Sequence, residues 1–152
     1  MKSLFKKLLI LIFICLLPAS KIFAEDKIRI GLVVPLSGDY SSIGDSIIKS
    51  TRLALNKIND EKFEVVPGDT KANPIDALKA SKALYDQGIK IIIGPVFNES
   101  TKYLDELNDV TFISFTNKIY GNPPNVISAG VNAISQFQTI DKFRKLNEIQ
   151  RL

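Results

Sequence analysis

Two kinds of hydrophobic pattern alternate along most of this chain. Five short apolar runs, rich in β-branched or aromatic residues, predict strands that are buried on both faces. They cover residues 28–34, 63–66, 89–93, 111–115 and 126–129. Between several of these runs, apolar residues recur every three or four positions, which is the spacing of one helical face. The pattern therefore predicts strands that alternate with helices.

The first two helices carry start signals. Ser42, followed three residues later by Asp45, is a variant of the capping box and predicts a helix from Ser42 to about Asn59. Asn73 before Pro74 predicts the next helix, with Asn73 as its N-cap and Pro74 in its first turn. Its inner stripe is predicted to consist of Ile75, Leu78, the stem of Lys82 and Tyr85, with Gly88 as the C-terminal stop.

The later helices are less regular. A short helix is predicted to open at residues 97–101 and to carry Tyr103, Leu104 and Leu107. A last helix is predicted from Ile134. Its apolar residues recur every three positions, and on an α-helix such a row steps back by about 60° each time and winds around the cylinder. This pattern predicts that another surface covers the end of the helix, or that the chain is cut short.

Strand and helix alternation predicts the α/β class: an open parallel sheet of about five strands with helices on both faces. In such sheets, ligands bind at the carboxyl ends of the strands, near the point where the strand order reverses. The loops at that edge are residues 37–42, 69–73, 96–100 and 116–118, where Ser, Thr, Asn, Asp and Tyr are concentrated. We therefore expect the binding site in these loops.

The N-terminus predicts export. Lys2, Lys6 and Lys7 precede an unbroken apolar run over residues 8–17, which is shorter than the roughly 20 residues that a membrane-spanning helix needs. Residues 1–24 are therefore interpreted as a signal peptide cleaved after Ala24, with an uncleaved membrane anchor as the alternative. Residues 25–152 form the predicted mature domain, which has no membrane span and is periplasmic. Cys15, the only cysteine, lies inside the signal.

Removing the signal changes the charge and leaves few kinds of chemistry. The chain has 20 Lys and Arg against 16 Asp and Glu, but four lysines and no acid lie in residues 1–24, so residues 25–152 are neutral. The basic excess therefore does not indicate nucleic-acid binding. Without histidine, and without cysteine after cleavage, Ser-His-Asp catalysis and nearly every zinc site are excluded. We expect no cofactor, no metal and no enzymatic activity, since nothing supports a carboxylate-based hydrolase.

Several motifs in order resemble the type 1 periplasmic solute-binding proteins, such as those for leucine, isoleucine and valine. They are the Pro-Leu-Ser-Gly turn at residues 35–38, Tyr40, Gly44 and Ile58-Asn59, followed by DALKASKALYDQGIKIIIGP. The resemblance implies the first lobe of that fold, with flavodoxin-like strand order, and an amino-acid-like solute delivered to an ABC-transporter permease. VPGDTKANPIDAL, GPVF and ISFTNK are more similar to the branch of penicillin-binding protein activators, whose partner is a cell-wall synthase.

The resemblance also implies a set of site residues in the edge loops. The predicted ligand-binding residues are Ser37, Tyr40, Ser41, Asn98, Ser100, Thr101, Thr116 and Asn117. Ser100 and Thr101 match the Ser/Thr-rich loop that holds an amino acid in the family, whereas Asn98, Glu99 and the segment at residues 115–118 depart from its pattern. The alternative for Ser100 is helix capping. For Tyr40 the alternative is ordinary surface cover, and Asp69-Thr70 is interpreted as a turn.

The family has two lobes and is well over twice as long as this chain. One lobe cannot enclose a ligand to the roughly 70–90% that is typical of such sites. The chain is therefore expected to be a fragment or truncated product, or to act without full enclosure of a ligand.

Overall fold

The computed structural model describes residues 27–149, which form an α/β fold around one sheet. Its strands are β1 (Ile28–Val34), β2 (Phe63–Asp69), β3 (Ile91–Ile93), β4 (Thr111–Ser114) and β5 (Val126–Ser128). All neighbouring strands pair in parallel, in the order β2-β1-β3-β4-β5. The predicted five-stranded parallel sheet and its strand order are confirmed. The predicted signal peptide, including Cys15, lies outside the described residues.

Within residues 27–149, three α-helices accompany the sheet: α1 (Ser41–Ile58), α2 (Pro74–Tyr85) and α3 (Ala133–Leu146). The step from β1 to β2 and the step from β2 to β3 run in opposite directions across the sheet. Because parallel crossovers are right-handed, α1 and α2 lie on opposite faces. Among the residues described, no helix is long and apolar enough to cross a membrane.

The main core lies between the α2 face of the sheet and the segment that follows β3. Its buried side chains are Val33, Leu84, Ile89, Ile92, Leu104, Leu107, Val110, Phe112 and Val126. These residues come from β1, β3, β4 and β5 and from the chain segments on one face of them. Burying this apolar surface is the dominant stabilising contribution to the fold.

The α2 start is confirmed and the α1 start is corrected. The Asn73 side chain accepts a hydrogen bond from the Asp76 backbone N–H at 2.9 Å, as an N-cap does. Ser42 is not an N-cap, because α1 begins at Ser41 and no side chain caps it. Close packing fixes α1 instead: a Cβ built on Gly44 would lie 1.9 Å from the Pro35 carbonyl oxygen.

Two further predictions about the elements are corrected in part. The predicted short helix is a pair of 3₁₀ turns, Asn98–Thr101 and Leu104–Leu107. On α2, the buried residues are Ala77, Ser81 and Leu84, whereas Ile75 is exposed and Lys82 forms an ion pair with Glu106 at 2.6 Å. Leu78 and Tyr85 of the predicted stripe are partly buried against the core, so the stripe is wrong at Ile75 and Lys82, and its most buried positions are Ala77, Ser81 and Leu84.

Nothing within residues 27–149 covers part of the α1 face of the sheet. Ile91, Ile113 and Ile127 occupy equivalent faces of β3, β4 and β5, and Ile91 and Ile127 are exposed. We call this surface, together with the neighbouring Phe115, the open face. The helix α3 is equally uncovered, since no residue within Ala133–Leu146 is buried.

Candidate functional site

The loops after β1, β3 and β4 meet at the carboxyl edge of the sheet. The strand order places β1 between β2 and β3, so chain connections diverge on either side of β1 at this edge. A crevice at such a switch point is the usual ligand position in open α/β sheets. Two contacts join the β3 and β4 loops: the Pro95 carbonyl accepts hydrogen bonds from the Phe115 N–H at 3.0 Å and from the Ser114 hydroxyl at 2.8 Å.

An aromatic contact joins the β1 and β3 loops. The ring centroids of Tyr40 and Phe97 lie 4.9 Å apart with the planes inclined by 61°, which is an edge-to-face arrangement. Tyr40 remains 51% exposed, while Phe97 is partly buried. The pair therefore presents a partly solvated aromatic surface at the edge, of a kind that can pack against the apolar part of a ligand.

A carboxylate joins the β1 loop to the end of β2. Asp69 accepts hydrogen bonds from the Leu36 N–H at 2.8 Å and from the Ser37 hydroxyl at 2.5 Å. It also accepts one from the Lys71 N–H at 2.9 Å, which is the expected turn chemistry. Partial burial acts to raise the pKa of Asp69, but the bonds from Ser37, Lys71 and Leu36 outweigh it, so the pKa lies below the ordinary 3.8.

Three of the predicted hydroxyl ligands face the interior. Ser100, Thr101 and Thr116 are between 1 and 4% exposed. The Thr101 hydroxyl donates to the Asn98 carbonyl at 2.7 Å, and the Thr116 hydroxyl accepts from the Lys118 N–H at 3.2 Å. Within residues 27–149 the Ser100 hydroxyl has no hydrogen-bond partner. As placed, these side chains support the loops from inside.

The other predicted site residues lie closer to solvent. Ser37, Tyr40 and Asn117 are exposed, and Ser41 and Asn98 are partly buried. The Ser41 N–H donates to the Gly38 carbonyl at 3.1 Å, which closes the β1 loop onto the start of α1. The structure thus brings these residues to one edge, and their role in ligand binding stays a prediction.

A cavity of about 390 Å³ lies between the β3 and β4 loops. Two of the predicted residues, Asn98 and Thr101, line it. Its charged lining was not predicted from the sequence and consists of Glu99, Lys102, Asp105 and Lys118. Polar residues at these positions were visible in the sequence, but surface charges carry no local signal that separates a cavity wall from solvated loops.

Strand order and loop placement together match the α/β fold of one lobe of a periplasmic binding protein, a kind of sheet in which ligands usually lie at the carboxyl edge. The sequence profile of the periplasmic binding protein family matches residues 27–145. The chain belongs to this family, whose members are solute-binding proteins and typically periplasmic.

Two of the similar proteins, BraC3 and LivJ, carry names that refer to branched-chain amino acids. The chain is 29% identical over 79 residues to the Leu/Ile/Val-binding protein BraC3 of Rhizobium johnstonii, covering 48% of this chain and 22% of the relative. The substrate-binding protein LivJ of a Streptococcus pneumoniae branched-chain amino acid transporter, in complex with isoleucine, is 25% identical. That match has a TM-score of 0.54 and covers 62% of this chain and 30% of LivJ.

LpoA from Haemophilus influenzae shares the fold at 20% identity, with a TM-score of 0.61 over 82% of this chain and 23% of LpoA. At this identity the likeness shows the fold alone. The chain spans about a fifth of the length of the curated relatives that it matches.

Proposed function

We propose that residues 25–152 are the ligand-facing first lobe of a periplasmic solute receptor, exported by the signal peptide at residues 1–24. The lobe binds a small polar solute of the Leu/Ile/Val type without covalent chemistry, for delivery to an ABC-transporter permease. The observation that carries this proposal is the junction of the β1, β3 and β4 loops at one edge of the sheet. The LivJ and BraC3 similarities support the choice of solute.

The groups at the edge suit the two ends of an aliphatic amino acid. Tyr40 and Phe97 supply apolar surface for the side chain. The cavity between the β3 and β4 loops is lined by the Asn98 amide and the Lys118 ammonium group, and an ammonium group attracts a carboxylate. Asn117, which precedes Lys118, is exposed. Since Ser100, Thr101 and Thr116 are buried, the polar contacts depend on the exposed groups of these loops and on backbone N–H groups.

A single lobe should bind weakly. One wall of a cleft contacts about half of the ligand surface that two closed lobes would contact. The expected binding free energy of a small amino acid is therefore on the order of −4 kcal/mol, which corresponds to a Kd of about 1 mM.

Calorimetry with leucine, isoleucine and valine on residues 25–152 tests this affinity. Tyr40→Ala is the site variant, and Tyr120→Ala is the control at an exposed tyrosine away from the β1 loop. Saturable heat that Tyr40→Ala abolishes supports the proposal. No heat with any of the three solutes contradicts it.

The second candidate is a module that regulates peptidoglycan synthesis through protein contacts, like the penicillin-binding protein activators. Two observations favour it: the hydroxyls expected to hold an amino acid are buried, and the open face and α3 present apolar surface that a protein could cover. In a pull-down from a solubilised envelope, recovery of a cell-wall synthase in the absence of any solute supports this candidate. Recovery of transporter permease alone counts against it.

A further inference from the structure

One carboxylate organises the loop that carries Tyr40. Asp69 ends β2, yet it accepts hydrogen bonds from the Leu36 N–H and the Ser37 hydroxyl, which belong to the loop after β1. The adjacent Thr70 N–H donates to the Val34 carbonyl at 3.0 Å, so the pairing of the two strands continues up to this point. The β1 loop is therefore attached to β2 through Leu36 and Ser37.

Attachment at Ser37 restricts the whole loop, because its other end is also fixed. Gly38 follows Ser37 with a φ of +80°, and its carbonyl accepts from the Ser41 N–H, which starts α1. Only Asp39 and Tyr40 lie between these points. Because the segment between these points is so short, the hydrogen bond from Ser37 to Asp69 determines where the Tyr40 ring contacts Phe97.

We infer that Asp69 is a positioning residue of the candidate site, which holds the β1 loop so that Tyr40 rests on Phe97, and that Ser37 acts through Asp69 rather than on the ligand. The hydroxyl hydrogen of Ser37 is donated to a carboxylate that also accepts two backbone N–H groups, which is a strong, charge-assisted arrangement. The effect on solute affinity rests on the proposed function. The position of the loop in the ligand-free protein does not.

The first experiment follows the ligand-free protein by NMR. Asp69→Asn keeps the shape of the side chain and removes its charge, so the Leu36 amide should exchange with solvent about tenfold faster and the Tyr40–Phe97 ring contacts should weaken. Asp39→Asn is the matched control, since it makes the same change at an exposed loop carboxylate with no hydrogen bond or ion pair in the described part of the chain. Equal exchange of Leu36 in the two variants would overturn the inference.

A pH titration distinguishes loss of the hydrogen bonds between Asp69 and the β1 loop from general loss of structure. The Leu36 and Lys71 amide shifts should follow the protonation of Asp69 with one shared midpoint below pH 3.8. Because the Ser37 hydroxyl stabilises the charged carboxylate, Ser37→Ala should move that midpoint upwards, towards 3.8. Unchanged midpoints in Ser37→Ala, or shifts of Leu36 and Lys71 that do not titrate together, would show that Ser37 and Asp69 are not coupled.

Leucine affinity then assigns the role of Ser37. If Ser37 acts through Asp69, the losses of affinity in Ser37→Ala and Asp69→Asn are non-additive, and the double variant binds leucine within about twofold of the weaker single variant. Additive losses would make Ser37 a direct ligand and overturn that part of the inference. If the unaltered protein binds no solute, the proposed function fails, while the exchange and titration results still decide whether Asp69 holds the loop.

Discussion

Contacts of individual residues hold the β1 loop and α1 in position. The Gly44 backbone packs directly on the Pro35 carbonyl, at the point where β1 ends and the Tyr40 loop begins. Asp69 holds the same loop from the other side. Neither contact follows from periodicity or capping rules, because each depends on two segments that are distant in sequence coming together at the edge of the sheet.

Gly44→Ala should therefore destabilise the fold although alanine is the better helix former. Alanine gains about 1 kcal/mol in helix propensity, but its Cβ would overlap a backbone oxygen that cannot move independently of β1, and we expect a net loss of about 2 kcal/mol. Urea denaturation measures the change in the free energy of unfolding. Ser42→Ala, two residues earlier, is the control and should stay within about 0.5 kcal/mol, whereas an N-cap would lose about 1 kcal/mol. A loss at Ser42 with none at Gly44 would contradict this assignment.

Strong local sequence signals located the strands and helices correctly, whereas weak signals did not. The apolar runs located β1, β3, β4 and β5 to within two residues, and the Asn73-Pro74 pair located the start of α2. The strand β2 extends beyond its predicted end, through Pro67 and Gly68 to Asp69. Pro67 is tolerated because β2 is an edge strand, where part of the backbone has no partner strand.

The 3₁₀ segment carries a sequence signal, since the apolar residues Leu104, Leu107 and Val110 are spaced three positions apart. Burial recurs at every third residue through Thr101, Leu104, Leu107 and Val110. A period of three matches the three residues per turn of a 3₁₀-helix, so these side chains fall on one face of the segment. The same period in α3 does not produce a packed stripe, because α3 is an α-helix and its apolar row winds around it.

Matched substitutions test this contrast between the two period-three segments. Leu107 belongs to the core, so Leu107→Ala should lower the free energy of unfolding by about 2–5 kcal/mol. Phe137 in α3 is 68% exposed, so Phe137→Ser should change it by less than about 0.5 kcal/mol. Chemical denaturation of both variants measures these values. A loss above about 1.5 kcal/mol for Phe137→Ser would mean that α3 packs on the fold.

Two surfaces within residues 27–149 expose large apolar side chains. The open face and α3 both carry exposed isoleucine and phenylalanine side chains. Large contiguous apolar patches on soluble proteins mark surfaces that contact other polypeptide or aggregate. The balance of basic and acidic residues in residues 25–152 removes the long-range repulsion that would oppose such contacts.

We therefore expect concentration-dependent self-association that involves the open face. Ile127 is 56% exposed on β5, and Ile127→Lys should shift the sedimentation profile towards the monomer, because it places a charge on that apolar surface. Leu53→Lys adds the same charge at an exposed apolar position on α1 and serves as the control. Equal effects of the two variants would show that net charge, rather than the open face, controls association.

We propose that the carboxyl edge of this sheet receives a branched-chain amino acid. The most direct measurement is a titration of residues 25–152 with leucine, followed by the backbone amide shifts of each loop. We predict saturable changes confined to residues 36–41, 95–101 and 115–118, which belong to the β1, β3 and β4 loops. Shifts that cluster on the open face or α3, or an unchanged spectrum at tens of millimolar leucine, would contradict the account.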